Sequence, residues 1–157
     1  MSRDEQLARL QSLLQTHRWA AMATLGKDGL PDGSMVAYAY NKVQSELYLH
    51  LSELAAHTRN LQQTPQASLI VSECDHGNSD PQQLARAIIS GKVSRIAPEE
   101  SGYDQARSQY LATLPDAEPL FSFGDFALLR FTPEKIRFVG GFAQAFTFRT
   151  EELTAQE

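Results

Sequence analysis

From Trp19 to Phe148 the chain is laid out as short apolar runs of strand length, most stopped by a turn or loop signal, and no strand–helix–strand unit repeats. That spacing restricts the fold more than any other feature, because a parallel sheet needs a helical crossover for every strand whereas hairpins build antiparallel sheets. Trp19–Leu25 is the first run, and Gly26-Lys-Asp-Gly29 after it is a strong turn signal. A hairpin follows, with its second strand over about residues 31–40. In an extended chain Ser34, Val36, Tyr38 and Tyr40 share one face, opposite Met35, Ala37 and Ala39. Further strands are predicted over 46–51, 67–72 and 84–96, and Gly91 inside the last of these marks a bulge or bend. Two more are predicted over 126–131 and 136–148, separated by the turn Thr132-Pro-Glu-Lys135.

Three segments read as helices. Ser2 and Glu5 have capping-box spacing ahead of Leu7, Leu10 and Leu14, which predicts a helix over 3–17. Ser52 is a natural N-cap for a second helix that stops at Pro65, and Pro98 suits the first turn of a third reaching about Leu114. The sum is a mainly β (α+β) chain of six to seven antiparallel strands closed into a barrel, with helices outside. A length of 157 residues argues for a single domain over 1–157, and 42% apolar residues supply its core.

Composition removes several functions. The net charge is −5 and the 14 lysines and arginines are dispersed, so nucleic acid is disfavoured. One cysteine, Cys74, allows neither an intrachain disulfide nor a cysteine-rich zinc site. No apolar run approaches the ~20 residues that span a bilayer, and the charged N-terminus lacks a signal-peptide core. A cytoplasmic protein without a membrane partner is the expectation.

The most informative stretch is Ser52-Glu-Leu-Ala-Ala-His-Thr-Arg-Asn-Leu61. On a helix Leu54, His57, Thr58 and Leu61 fall on one face, Asn60 neighbours His57, and Arg59 projects away. Free N–H groups, the Ser52 hydroxyl and the His57/Thr58/Asn60 cluster would form an anion site suited to a phosphate. The alternative is structural: Ser52 as a cap, His57 and Thr58 as satisfied polar residues at the core margin. A second signal lies in residues 137–146. Extended, Val139, Gly141, Ala143 and Ala145 line one face, and Phe138, Gly140, Phe142 and Phe146 the other. The pair Gly140-Gly141 predicts either close approach by a ligand or packed helix, or a bend. Cys74-Asp-His76 reads as a solvated loop. His17 and His50 read as packed or hydrogen-bonded residues, and Tyr103, Tyr110 and Leu111 as ordinary packing. Ser34 lacks the G-x-S-x-G elbow of a nucleophile.

Taken in order, Ala23-Thr-Leu with Asp28-Gly-Leu-Pro31, Gly33-Ser-Met-Val-Ala-Tyr38, Leu51–Leu61 with Pro65, Arg130-Phe-Thr-Pro133 and Val139-Gly-Gly-Phe-Ala-Gln-Ala145 resemble the pyridoxamine 5'-phosphate oxidase-like FMN-binding split barrels, and more closely their haem-utilisation branch. The resemblance implies a six- to seven-stranded antiparallel split β-barrel of Greek-key type, assembled as a homodimer with the cofactor site at the interface. Carried over, Ser52, His57, Thr58 and Asn60 become contacts to the FMN phosphate, Ser34 takes the place of an arginine in the oxidases proper, and the backbone at Met35 and Val36 faces the flavin ring. It further implies a flavin-dependent oxidoreductase, with haem binding or degradation as the alternative and a cofactor-free dimeric interaction module as a third. The C-terminal Arg-x-His motif of true pyridoxamine phosphate oxidases is replaced by Gly141-Phe-Ala-Gln-Ala-Phe146. The last histidine is His76, so the haem branch's C-terminal histidine has no counterpart among these residues.

Overall fold

The computed structural model describes residues 1–154; the single-domain reading over 1–157 extends three residues beyond them. The chain begins with helix α1 (Arg3–Thr16), capped by Ser2 and Glu5 as the spacing predicts. Eight strands follow: β1 (Trp19–Leu25), β2 (Pro31–Ala37), β3 (Ala39–Asn41), β4 (Glu46–Ser52), β5 (Gln66–Ser72), β6 (Arg86–Arg95), β7 (Phe126–Val139) and β8 (Ala145–Arg149). Helix α2 (Ala56–Gln63) lies between β4 and β5, α3 (Tyr103–Thr113) between β6 and β7, and α4 (Thr150–Thr154) after β8. Hydrogen bonding runs β2-β1-β5-β6-β7-β4-β3, a seven-strand path, with β8 added to β7.

The ends of that path are β2 and β3, and only Tyr38 separates them in sequence. A flat sheet cannot place its two edges one residue apart, so this one curls into a half-barrel, and β2 comes up against β4 across the open seam. The single strand expected over 31–40 is therefore two strands. Tyr38 turns the corner fully buried, its N–H donating to the Arg18 carbonyl (2.9 Å) and its hydroxyl to the Leu14 carbonyl (3.0 Å).

The turn expected at 132–135 is absent, because β7 runs unbroken for 14 residues through Pro133. Pro133 sits opposite Gly91, where the β6–β7 register shifts, and a bulge tolerates a residue without an N–H. Along its other edge β7 pairs first with β4 and then with β8. The strand expected over 136–148 breaks at Gly140, whose N–H donates to the Gln144 carbonyl in a hairpin turn, so the proposed alternation of faces ends there. What approaches Gly140 is a packed helix. A Cβ there would meet the side chains of Gln6 and Arg9, and Arg9 Nη2 donates to the Gly140 carbonyl at 2.7 Å. Two segments the sequence left unassigned are helical: α4 and the 3-10 turns of 115–122.

Leu10, Leu47, Leu49, Leu69, Ile89, Phe131 and Phe138 fill the barrel interior. A second core of Tyr48, Ile96, Ala106, Tyr110 and Leu128 lies outside it, between β4 and α3. Because β4 serves both, its residues 46–51 are buried on both faces.

Gly91 is the tightest point of the sheet. A Cβ there would collide with the Thr132 carbonyl and press to 3.0 Å on the Phe131 ring. Gly91→Val should lower unfolding free energy by about 1–3 kcal/mol, the usual scale for overpacking, as read by urea denaturation. An unchanged midpoint would show that the bulge relaxes freely.

Candidate functional site

Helix α2 begins three residues later than an N-cap at Ser52 implies. Ser52 is the last residue of β4, paired with Phe126, and the helix is capped by Ala55 without a side-chain bond. Ser52 is thus not its N-cap. Its Oγ instead accepts from Leu54 N (3.2 Å) and donates to Asp125 Oδ2 (3.3 Å), while Glu53 N donates to the Asp125 carbonyl (2.6 Å). The register with β7 holds Ser52 in the sheet and overrides its capping preference. Leu54, expected on the buried helix face, lies outside the helix and is 72% exposed.

The shorter helix separates the candidate residues into two groups. Thr58 and Leu61 are buried against the barrel. Thr58 lines a pocket of about 150 Å³ with Leu61, Val93, Ala127 and Leu129, and its Oγ1 is buried without a hydrogen-bond partner. An ion pair of Arg95 with Glu53 (3.0 Å) also lines this pocket. Asn60 belongs to the other group: its Nδ2 donates to Thr24 Oγ1 (3.0 Å) on β1 and to Asp32 Oδ2 (3.1 Å) on β2. Burial lowers the pKa of the half-buried His57, and the Asp32 carboxylate partly opposes that shift. The imidazole is therefore neutral near pH 7.

On β2, Ser34 and Val36 share a face and alternate with Met35. Val36 is buried, the Ser34 hydroxyl is buried without a partner, and Met35 points outward at 48% exposure. The cluster drawn together is therefore Thr24, Asp32, Asn60 and His57. Ser52 is tied instead to Asp125, and Thr58 to the pocket inside. Sequence reasoning missed Asp32, although its i, i+2 relation to Ser34 places both on one face of β2.

The residues read as contacts to a phosphate bring acidic neighbours with them. The groups offered as its ligands hold two carboxylates, Asp32 on Asn60 and Asp125 on Ser52, and His57 carries no charge to offset them. Arg95 is engaged by Glu53, whereas Arg59 and Lys27 line a pocket of about 440 Å³ with Ala56 and Asn60. A neutral imidazole with a carboxylate nearby is by contrast the form in which histidine ligates a metal, since the free nitrogen keeps its lone pair.

The sequence profile of the family described as "CREG, beta-barrel" matches residues 2–153. A protein of Arabidopsis thaliana named non-canonical heme oxygenase HOZ, chloroplastic, is 34% identical over 132 residues, which make up 82% of this chain and 39% of that protein. A solved heme binding protein from Mycobacterium smegmatis superimposes with a TM-score of 0.87 at 26% identity, over 99% of this chain and 62% of that one. The chain thus spans less than two thirds of the length of either. A Clostridium acetobutylicum protein of the pyridoxinephosphate oxidase family is alike in fold alone, with a TM-score of 0.73 at 14% identity over 97% of this chain and 99% of the other. The split-barrel resemblance and its haem-utilisation branch are both upheld, and the homologues favour haem over a flavin.

His57 should titrate below the usual histidine value of about 6.5 in a proton NMR experiment. Asp32→Asn should lower it further, because the carboxylate that favours the charged imidazole is gone. A midpoint that rises in this variant would show that Asp32 does not act on His57.

Proposed function

The chain belongs to the CREG β-barrel family, and from that premise we propose that it binds haem as a haem-handling protein of the haem-oxygenase class, with His57 facing the iron. The observation that supports this most is the likeness to relatives named as heme oxygenases, and on this chain His57 is a half-buried imidazole one helix turn from Asn60, which donates to Asp32. Neutral imidazole is the ligating form, and a neighbouring carboxylate raises the basicity of such a ligand. Asn60 fixes Asp32, and Thr24 anchors Asn60, so two side chains hold the carboxylate in place. Haem, when bound, supplies a redox-active iron; the protein supplies its position and its ligand. The flavin reading is disfavoured by the two carboxylates among the would-be phosphate contacts.

The homodimer is part of the same proposal. Met35, Ala21, Ile70 and Ile88 stand side by side in register across β2, β1, β5 and β6 on the outer face. Met35 and Ile70 are 48% and 41% exposed, an apolar stripe suited to burial against a second copy.

Haem titrated into the protein should give a Soret band, and His57→Ala should shift or abolish it while His17→Ala and His76→Ala leave it in place. A band unchanged in His57→Ala removes His57 as the ligand. FMN fluorescence followed in parallel decides the cofactor: quenching by the protein with no response to haem transfers the chain to the flavin proteins, and no response to either favours an interaction module.

In sedimentation the chain should run at twice its 17.5 kDa, and Met35→Lys should shift it toward the monomer. A monomer before substitution rules out the stripe as a self-association surface.

A further inference from the structure

His50 alternates with Leu49 and Leu51 on β4, so its ring points away from the barrel interior and into the outer core. There it stacks on Phe121 at 3.7 Å and nearly parallel (5°), with Tyr110 edge-on at 5.8 Å and Phe126 at 5.2 Å. The residue is 7% exposed, and Nδ1 is buried with no hydrogen-bond partner. Burial, with the charge of Arg107 adding to it, holds its pKa down to about 4, so the imidazole is an uncharged aromatic wall at pH 7. Beside it opens a pocket of about 480 Å³, within the range that takes small-molecule ligands.

Trp19, Tyr110 and Leu120 line this pocket together with His50, and Arg18 and Asp116 supply its charged groups. Trp19, the one tryptophan of the chain, is 58% exposed. Arg18 Nη1 donates to the Thr113 carbonyl (3.2 Å), and Arg18 forms no ion pair with Asp116 or any other carboxylate among the described residues. Arg107 lies 5.0 Å over the Phe121 ring and does not line the pocket, whose charged groups are one guanidinium and one carboxylate. Aromatic walls and a guanidinium that no carboxylate engages among the described residues complement a flat ring carrying an acid group.

We infer that this pocket binds a one- or two-ring aromatic carboxylate, its ring against Trp19 and the His50–Tyr110 wall and its carboxylate on Arg18. The site is separate from the one around His57. Trp19 pairs with Ala37 at one end of the β1–β2 ladder, and Thr24 pairs with Asp32 near the other. Five residue steps of strand separate them, about 17 Å at the usual rise. The inference therefore stands independently of haem binding.

Trp19 provides the readout. Cinnamate and its uncharged analogue cinnamyl alcohol, titrated into the full chain, should each produce a saturable change in tryptophan emission. Arg18→Gln should weaken cinnamate about tenfold, the scale of one charge-assisted hydrogen bond, and leave the alcohol unchanged. Ala117→Phe, which fills the pocket from its wall, should remove the saturable response to both while the far-UV circular dichroism stays native. Quenching that never saturates, or cinnamate binding of equal strength in wild type and Arg18→Gln, overturns the proposal. So does displacement of cinnamate by one equivalent of haem, which would make the pocket part of the haem site.

Discussion

The architecture depends on one buried residue. Tyr38 is the whole covalent link between the two ends of the sheet, and its backbone and side chain are both spent on holding that corner. Its hydroxyl reaches the Leu14 carbonyl near the end of α1, and its N–H reaches the Arg18 carbonyl just ahead of β1. The corner therefore also fixes where α1 hands over to the sheet. Burial raises the phenol pKa, so the hydroxyl remains a donor throughout the physiological range. With both sheet ends pinned one residue apart, the strands must curl, and an interior forms that Leu47, Leu49, Leu69, Ile89 and Phe131 can fill.

Curling also decides what α2 can do. A seam between β2 and β4 leaves one side of the interior open, and the short helix after β4 contacts β1 and β2 there. Its buried face supplies Thr58 and Leu61 to the interior, while Asn60 ties the helix to Thr24 and Asp32. The Asn60 amide secures the Asp32 carboxylate, and an N–H already donated to Asp32 is not free for a phosphate. One acidic residue on β2 thus occupies an amide that the helix-face reading offered to a phosphate.

How much of this was legible depends on whether a signal was local. The hairpin at Gly26–Gly29, the cap at Ser2 and the strand-weakening Gly91 are local, and each appears where the residues place it. The break at Tyr38 is not, since alternation over 31–40 is unbroken and only sheet closure demands a corner. Pro133 misleads for a related reason: a proline signals a turn unless a partner strand bulges opposite it, and that partner, Gly91, is 42 residues away. Ser52 has every local qualification for a cap, but pairing with Phe126 keeps it extended. Among the site residues, the spacing of His57, Thr58 and Asn60 was readable, whereas their division between the interior and β2 required the true start of α2.

Burial lowers the pKa of both His50 and His57, yet their neighbours make them chemically different. Arg107 adds to the effect of burial at His50, so its imidazole behaves as an aromatic surface over the whole range in which the protein would work. Asp32 opposes burial at His57 and favours its charged form. Since β4 is buried on both faces, His50 could not have been an ordinary surface residue. The strand that carries it must present a polar ring to an apolar layer, and the aromatic stack of Phe121, Phe126 and Tyr110 accepts the ring's face and edge but leaves Nδ1 unsatisfied. An apolar residue would fill that position without the cost of an unpaired nitrogen.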